Sequence, residues 1–187
     1  MKGNAMNTID AITKGEFACT IYQDEDAESP REWDNLGTMI CFHGRYNLGD
    51  KHELSLEEAR ELENSDDVIS LPLYLYDHSG LRIKVGSFAG LLPQGHAEFD
   101  SGKVGFVYCT KEKACKEYGC KRIGPRRRMA VEKVLEGEVK TYDDYLSGQV
   151  YGYSIEDKNG DHVDSCTGFY GLDDARSAAN AAMDNPG

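Results

Sequence analysis

Apolar and polar positions in this chain change over in short runs, and most runs carry β-branched and aromatic residues that suit strands. Phe17-Ala18-Cys19-Thr20-Ile21-Tyr22 predicts a strand running into the acidic turn Asp24-Glu25-Asp26-Ala27-Glu28-Ser29-Pro30. Leu36 to Phe42 predicts a second. Val68 to Tyr76 predicts a third, with Pro72 favouring an edge position or a bulge because proline cannot donate to a ladder. A turn at Asp77-His78-Ser79-Gly80 leads into the alternating strand Leu81–Val85, and Val104–Tyr108 predicts another. Near the end, Val150–Ile155 and Val163–Tyr170 flank Asp157-Lys158-Asn159-Gly160, where Asn-Gly signals a hairpin.

Helical periodicity appears between these runs. Ser55 can cap a helix with Glu58 three residues on, and Leu56, Ala59 and Leu62 form its narrow apolar stripe. Lys111–Tyr118 predicts a short helix stopped at Gly119. A longer one follows Pro125, with apolar positions Met129, Val131, Val134, Leu135 and Val139; a second helical piece can continue through Tyr142, Tyr145 and Leu146. Leu172, Ala175, Ala179 and Ala182 line a final helix. These elements sum to an α+β fold: a largely antiparallel sheet of about seven strands with helices packed on one face, ending in a ββα unit over residues 150–187. Length favours a single domain over 1–187, with residues 1–14 expected to be a flexible lead.

Composition narrows the function classes. The chain has 187 residues, 40% hydrophobic and 29% charged, as in ordinary globular proteins. No run of about 18 apolar residues suggests a membrane span. No apolar core of a signal peptide lies near Met1–Asp10, so the expected location is the cytoplasm of a bacterial cell and the six cysteines are expected to be free. Cys109, Cys115 and Cys120 lack the tight pairing of a zinc ligand set. No metal site and no cofactor is expected. The net charge of −12 is uneven: residues 22–34 carry six acids and one base, 50–67 eight acids and two bases, and 110–140 ten bases and five acids. An acidic balance disfavours general nucleic-acid binding and suits a basic protein partner, with self-association as a dimer also open.

The tract Trp33-Asp34-Asn35-Leu36-Gly37-Thr38-Met39-Ile40-Cys41-Phe42-His43-Gly44-Arg45-Tyr46-Asn47-Leu48-Gly49-Asp50 holds the candidate chemistry. An aromatic anchor, an apolar run and a polar, glycine-punctuated exit suit a strand entering and leaving a surface site. Asp34, His43, Arg45 and Asp50 are the catalytic candidates: Asp50 and His43 as base and orienter, Arg45 as an anion holder. A site between residues 34–50 and the 86–102 loop makes a small hydrolytic enzyme the alternative to a binding protein, with the two segments expected to converge on a concave pocket. Trp33 and Tyr46 are binding candidates, as are Asp24, Glu25 and Asp26 of the acidic turn. That turn lacks the spacing of an EF-hand loop. Arg126, Arg127 and Arg128 form a basic patch that a nucleic-acid module would use for phosphate contact. No Walker A loop, dinucleotide fingerprint, HExxH or GxSxG sequence is present.

The blocks Trp33–Met39, Arg45–Asp50 and Asp100–Tyr108 resemble a family of small uncharacterised proteins encoded by bacteriophages and mobile elements. Val150-Tyr151-Gly152-Tyr153 and Asp164–Gly171 are similar to it too, and the resemblance covers most of residues 17–183. It implies a setting inside a bacterial host cell, and so an acidic interaction protein that binds and modulates a host or defence macromolecule. It supplies no functional residues.

Overall fold

The computed structural model describes residues 7–78, 80–91 and 101–185. Residues 1–6 of the expected lead, Ser79 of the predicted turn, and Pro93 and His96 of the 86–102 loop lie outside the described residues. The fold is α+β, with antiparallel sheets, helices and a terminal ββα unit. Among the described residues, eight strands form two four-stranded sheets where one sheet of about seven was expected. Each sheet has its own buried cluster, and the chain divides into two compact units: its two ends, up to Ser29 and from Ser147, and the middle, Pro30–Leu146.

The unit built from the chain ends has the strand order β1 (Thr8–Lys14), β2 (Phe17–Gln23), β7 (Val150–Glu156), β8 (His162–Tyr170). Residues 8–14 are thus paired backbone and not a flexible lead. β1 is mostly exposed, so it offers little hydrophobic pattern, and its place is fixed by ladder bonds to β2. In the β7–β8 hairpin the Asp157 carboxylate accepts from the N–H groups of Asn159 and Asp161 at 2.8 and 2.9 Å, closing the predicted turn. The last helix, α4 (Leu172–Asp184), buries Ala175, Ala179 and Met183 against Cys19, Ile21, Tyr151, Tyr153 and Ile155.

The middle unit has the order β3 (Thr38–Cys41), β6 (Ser101–Thr110), β4 (Val68–Asp77), β5 (Leu81–Val85). β4 is internal, so Pro72 is not on an edge strand. Its carbonyl accepts from Gly86 N just past the end of β5, and a bulge follows between Leu73 and Tyr74. Among the described residues, the unit also contains the helices α1 (Leu56–Glu63), α2 (Lys111–Glu117) and α3 (Pro125–Leu146). The two helical pieces expected after residue 125 are one helix of 22 residues that runs through Gly137.

Strand alternation divides the middle sheet's side chains into two faces. Met39, Ile69, Leu73, Leu75, Val107 and Cys109 pack under Val131, Leu135, Val139 and Tyr142 of α3. Ile40 and Phe106 point the other way, toward Ala59 of α1, with Phe42, Leu54, Leu62 and Tyr108 around them. Helices therefore flank this sheet on both faces, one face thickly and one thinly.

Candidate binding surface

The tract singled out in the sequence is held by a half-hidden polar network. A 3₁₀ turn at Pro30–Glu32 turns Arg31 inward, where only 6% of its side chain remains exposed. Its guanidinium donates to both Asp50 oxygens at 3.0 and 2.7 Å and to Gly37 O at 2.8 Å, with Glu138 of α3 3.8 Å away. Asp50 also accepts from Met39 N at 2.8 Å, and Asp50 N donates to Met39 O, so this one residue closes the outer edge of β3. Glu138 accepts from the N–H groups of Leu36 and Gly37 at 2.7 and 3.0 Å. Burial raises its carboxyl above the usual range, although those two N–H bonds and Arg31 oppose the rise. Only glycine fits at position 37: a Cβ there would lie 2.4 Å from Leu135 Cδ2 and 2.8 Å from Glu138 Oε2. Burial likewise pushes the Cys41 thiol up to about 12, which makes it inert.

The expected pairing of Asp50 with His43 is therefore not formed. Asp50 is committed to Arg31 and Met39. His43 stacks on Tyr46 with ring centroids 5.0 Å apart, and its Nδ1 accepts from the N–H groups of Arg45 and Tyr46, both at 3.3 Å. A neutral imidazole that accepts at Nδ1 carries its proton on Nε2, so its free nitrogen is a donor and not a base. Arg45 lies over the Tyr46 ring and pairs with Asp77 at the end of β4. Asp34 is exposed and lies elsewhere, lining a cavity with Lys113, Glu117 and Glu138. The four catalytic candidates do not assemble into one constellation.

Of the 86–102 segment, residues 92–100 lie outside the described residues, and Ser101 and Gly102, the first residues of β6, reach the 34–50 tract. Phe42, His43 and Arg45 share a cavity of about 300 Å³ with Ser101, Gly102, Lys103, Val104, Leu75 and Asp77. A second concavity of about 320 Å³ continues from it through Phe42, Lys103 and Val104 to Leu56, Ala59, Arg60, Glu63 and Phe106. Its floor is apolar and its rim is charged. Lys103 Nζ reaches both Glu63 oxygens at 2.6 and 2.8 Å across that rim.

Helix α1 forms the wall of this groove. Its N-terminus is a complete capping box: Glu58 N donates to Ser55 Oγ at 3.3 Å, while Ser55 N and Oγ donate to the Glu58 carboxylate at 2.8 and 2.7 Å. Those bonds hold the Glu58 carboxyl below its usual range. Only Ala59 is fully buried. Leu62 is half-buried, and Leu56, expected in the stripe, is 57% exposed. Leu54, before the cap, takes the contact with the sheet that Leu56 was expected to make. Glu53, Glu57 and Glu61 of this segment are exposed and, among the described residues, have no ion-pair partner, while the cation Arg60 lines the groove with Leu56.

The remaining candidates lie apart. Trp33 is 45% exposed. Glu25 and Asp26 are exposed and Asp24 half-buried, in a turn where Asp26 N donates to Asp24 Oδ1 at 3.2 Å. Arg126, Arg127 and Arg128 are exposed in the first turn of α3, behind the predicted Pro125 start. Arg128 pairs with Glu132 at 2.8 Å, and Arg126 and Arg127 line a cavity with Tyr118 and Ala130. Asp77, Leu56, Glu63, Lys103 and Phe106 were missed as site residues. Glu63 and Lys103 are 40 positions apart, and no local pattern joins them. Among the described residues no cluster of three or more metal-ligating side chains occurs, and no helix is long and apolar enough to cross a membrane. No family model, curated protein or solved structure matches the chain.

Proposed function

We propose that this chain is a binding protein that holds a basic segment of a partner protein along α1 and the groove beside it. The observation that carries the reading is Leu56, an exposed leucine at the lip of a groove floored by Phe42 and Phe106, on a helix that also exposes Glu57 and Glu61. An apolar anchor in a pocket ringed by charge is the usual anatomy of a protein-binding hot spot. The carboxylates steer a basic partner, and the groove takes its apolar side chain. We propose a bacterial host or defence protein as that partner. The test is affinity capture from a bacterial host extract at low and moderate salt, read by mass spectrometry. A basic protein retained by the native chain, lost with salt and lost from the E53K/E57K/E61K variant is expected. A partner retained equally by that variant contradicts the proposal.

A small hydrolytic enzyme is the second reading, favoured by the convergence of residues 42–45 with 101–104 on one cavity. Against it stands His43, whose free nitrogen donates. If His43 is the working group, H43Q removes turnover of a hydrolysable substrate found by screening. Turnover unchanged in H43Q ends that assignment.

A further inference from the structure

Helix α2 ends in a Schellman motif. Gly119, with φ of +57°, takes the left-handed position after the C-cap Tyr118. Gly119 N donates to Lys116 O at 3.3 Å, and Cys120 N donates to Cys115 O at 2.9 Å. The second of these bonds, six residues closing onto one, brings the side chains of the two bonded residues over the same spot on the surface. That place usually holds an apolar contact. Here both residues are cysteines.

The two thiols are close enough to affect each other. Cys115 is raised above an ordinary thiol first by burial, then by the hydrogen bond its S–H donates to Cys120 and by the Cys120 charge, while Arg127 of α3 opposes the rise. Both side chains are partly exposed, unlike the buried Cys19, Cys41 and Cys109, so a small reagent can reach them. Cys166 is exposed as well, and belongs to β8 of the other unit. Of the six cysteines, the pair at 115 and 120 combines access with a backbone turn that bonds the two residues directly to one another.

We propose that Cys115 and Cys120 form a thiol–disulfide exchange site, converted to an internal disulfide by low-molecular-weight disulfides of the glutathione class. The thiolate of one cysteine attacks a sulfur of oxidised glutathione, forming a mixed disulfide and releasing one glutathione thiolate. The thiolate of the other cysteine then attacks the protein sulfur of that mixed disulfide. The internal S–S bond forms and the second glutathione leaves. Each cysteine loses one proton and one electron, and one glutathione disulfide is reduced to two thiols. The helix cap supplies the short separation that lets the second attack outrun a second glutathione. The link lies in the connection between α2 and α3, just before the run Arg126–Arg128, so it fixes the turn from which that basic segment starts.

The native, full-length protein incubated in an oxidising glutathione buffer, alkylated and digested with trypsin tests this. Trypsin cleaves after Lys116, between the two cysteines, so an internal bond joins Ala114–Lys116 to Glu117–Lys121 as one disulfide-linked species. The expected result is that species, reversed by dithiothreitol, with Cys166 carrying glutathione instead. In C120S, Cys115 should accumulate as the glutathione adduct. Separate glutathione adducts on both Cys115 and Cys120 of the native protein overturn the proposal. So do free thiols at both positions while Cys166 is modified, or a bond from either cysteine to a different one.

Discussion

Helices α1 and α3 lie on opposite faces of one sheet, and both are rich in acids, yet their carboxylates do opposite things. On α3 the acids Glu138, Asp143 and Asp144 are at least partly buried. Asp143, only 8% exposed, accepts from Ile83 N at 2.8 Å on the edge strand β5 and receives both Arg82 donors. Asp144 takes Lys140 at 2.6 Å, and Glu138 binds the entry to β3. On α1 most acids turn outward, beside an exposed leucine. In sequence α1 carries four acids and one base, and α3 five acids and five bases. Engagement separates them: a carboxylate already holding backbone N–H groups or a buried arginine is part of the fold, and only the others remain available to a partner.

Substitutions can widen or erase this contrast. Leu135→Ala, under α3, should destabilise the protein by about 4 kcal/mol, since it opens a cavity among fully buried side chains. Asp50→Ala should cost about 3 kcal/mol, because it leaves Arg31 buried without its main counter-charge and strips Met39 N of its acceptor. Ser55→Ala removes the α1 cap and should cost about 1 kcal/mol. Leu56→Ala should change stability by less than about 0.5 kcal/mol, as at ordinary surface positions. Urea denaturation midpoints check all four. If Leu56→Ala costs as much as Leu135→Ala, α1 is a core helix and the contrast fails.

The pH dependence carries the same contrast with opposite signs. Glu138 is raised in the folded state, so its contribution is greatest below the ordinary value of 4.5 and declines as pH rises through the raised folded value. Glu58 is lowered, so its contribution is present above the ordinary value and is lost as pH falls through the lowered folded value. Stability measured against pH should lose the first slope in Glu138→Gln and the second in Ser55→Ala.

Much of the fold was legible because strand runs and turn residues agreed. The 55–58 capping box, the Asn159-Gly160 hairpin, and the stop of α2 at Gly119 all stand where local chemistry placed them. β1 was missed because its stability comes from pairing with β2 and leaves little trace in side-chain pattern. On α3 the apolar positions misled: Met129 is 69% exposed, while Asp143 and Asp144 are buried, because sheet edges and a neighbouring lysine supply the acids with partners that periodicity cannot show. The site was legible in place and not in role. Asp50 was read as a base because the residue that claims it, Arg31, lies 19 positions earlier across a strand. The groove needed Lys103, Glu63 and Phe106 brought together from distant parts of the chain.

The most direct test is fluorescence anisotropy of a labelled lysine-rich peptide with one central leucine, titrated with three proteins at low and moderate salt. The native chain should bind, more weakly as salt rises. E53K/E57K/E61K should lose binding, while E25K/D26K/E28K, reversed in the acidic turn of the other unit, should retain it. Equal loss in both variants would show that overall charge governs binding, and undiminished binding by the α1 variant would show that α1 takes no part; either result contradicts the account.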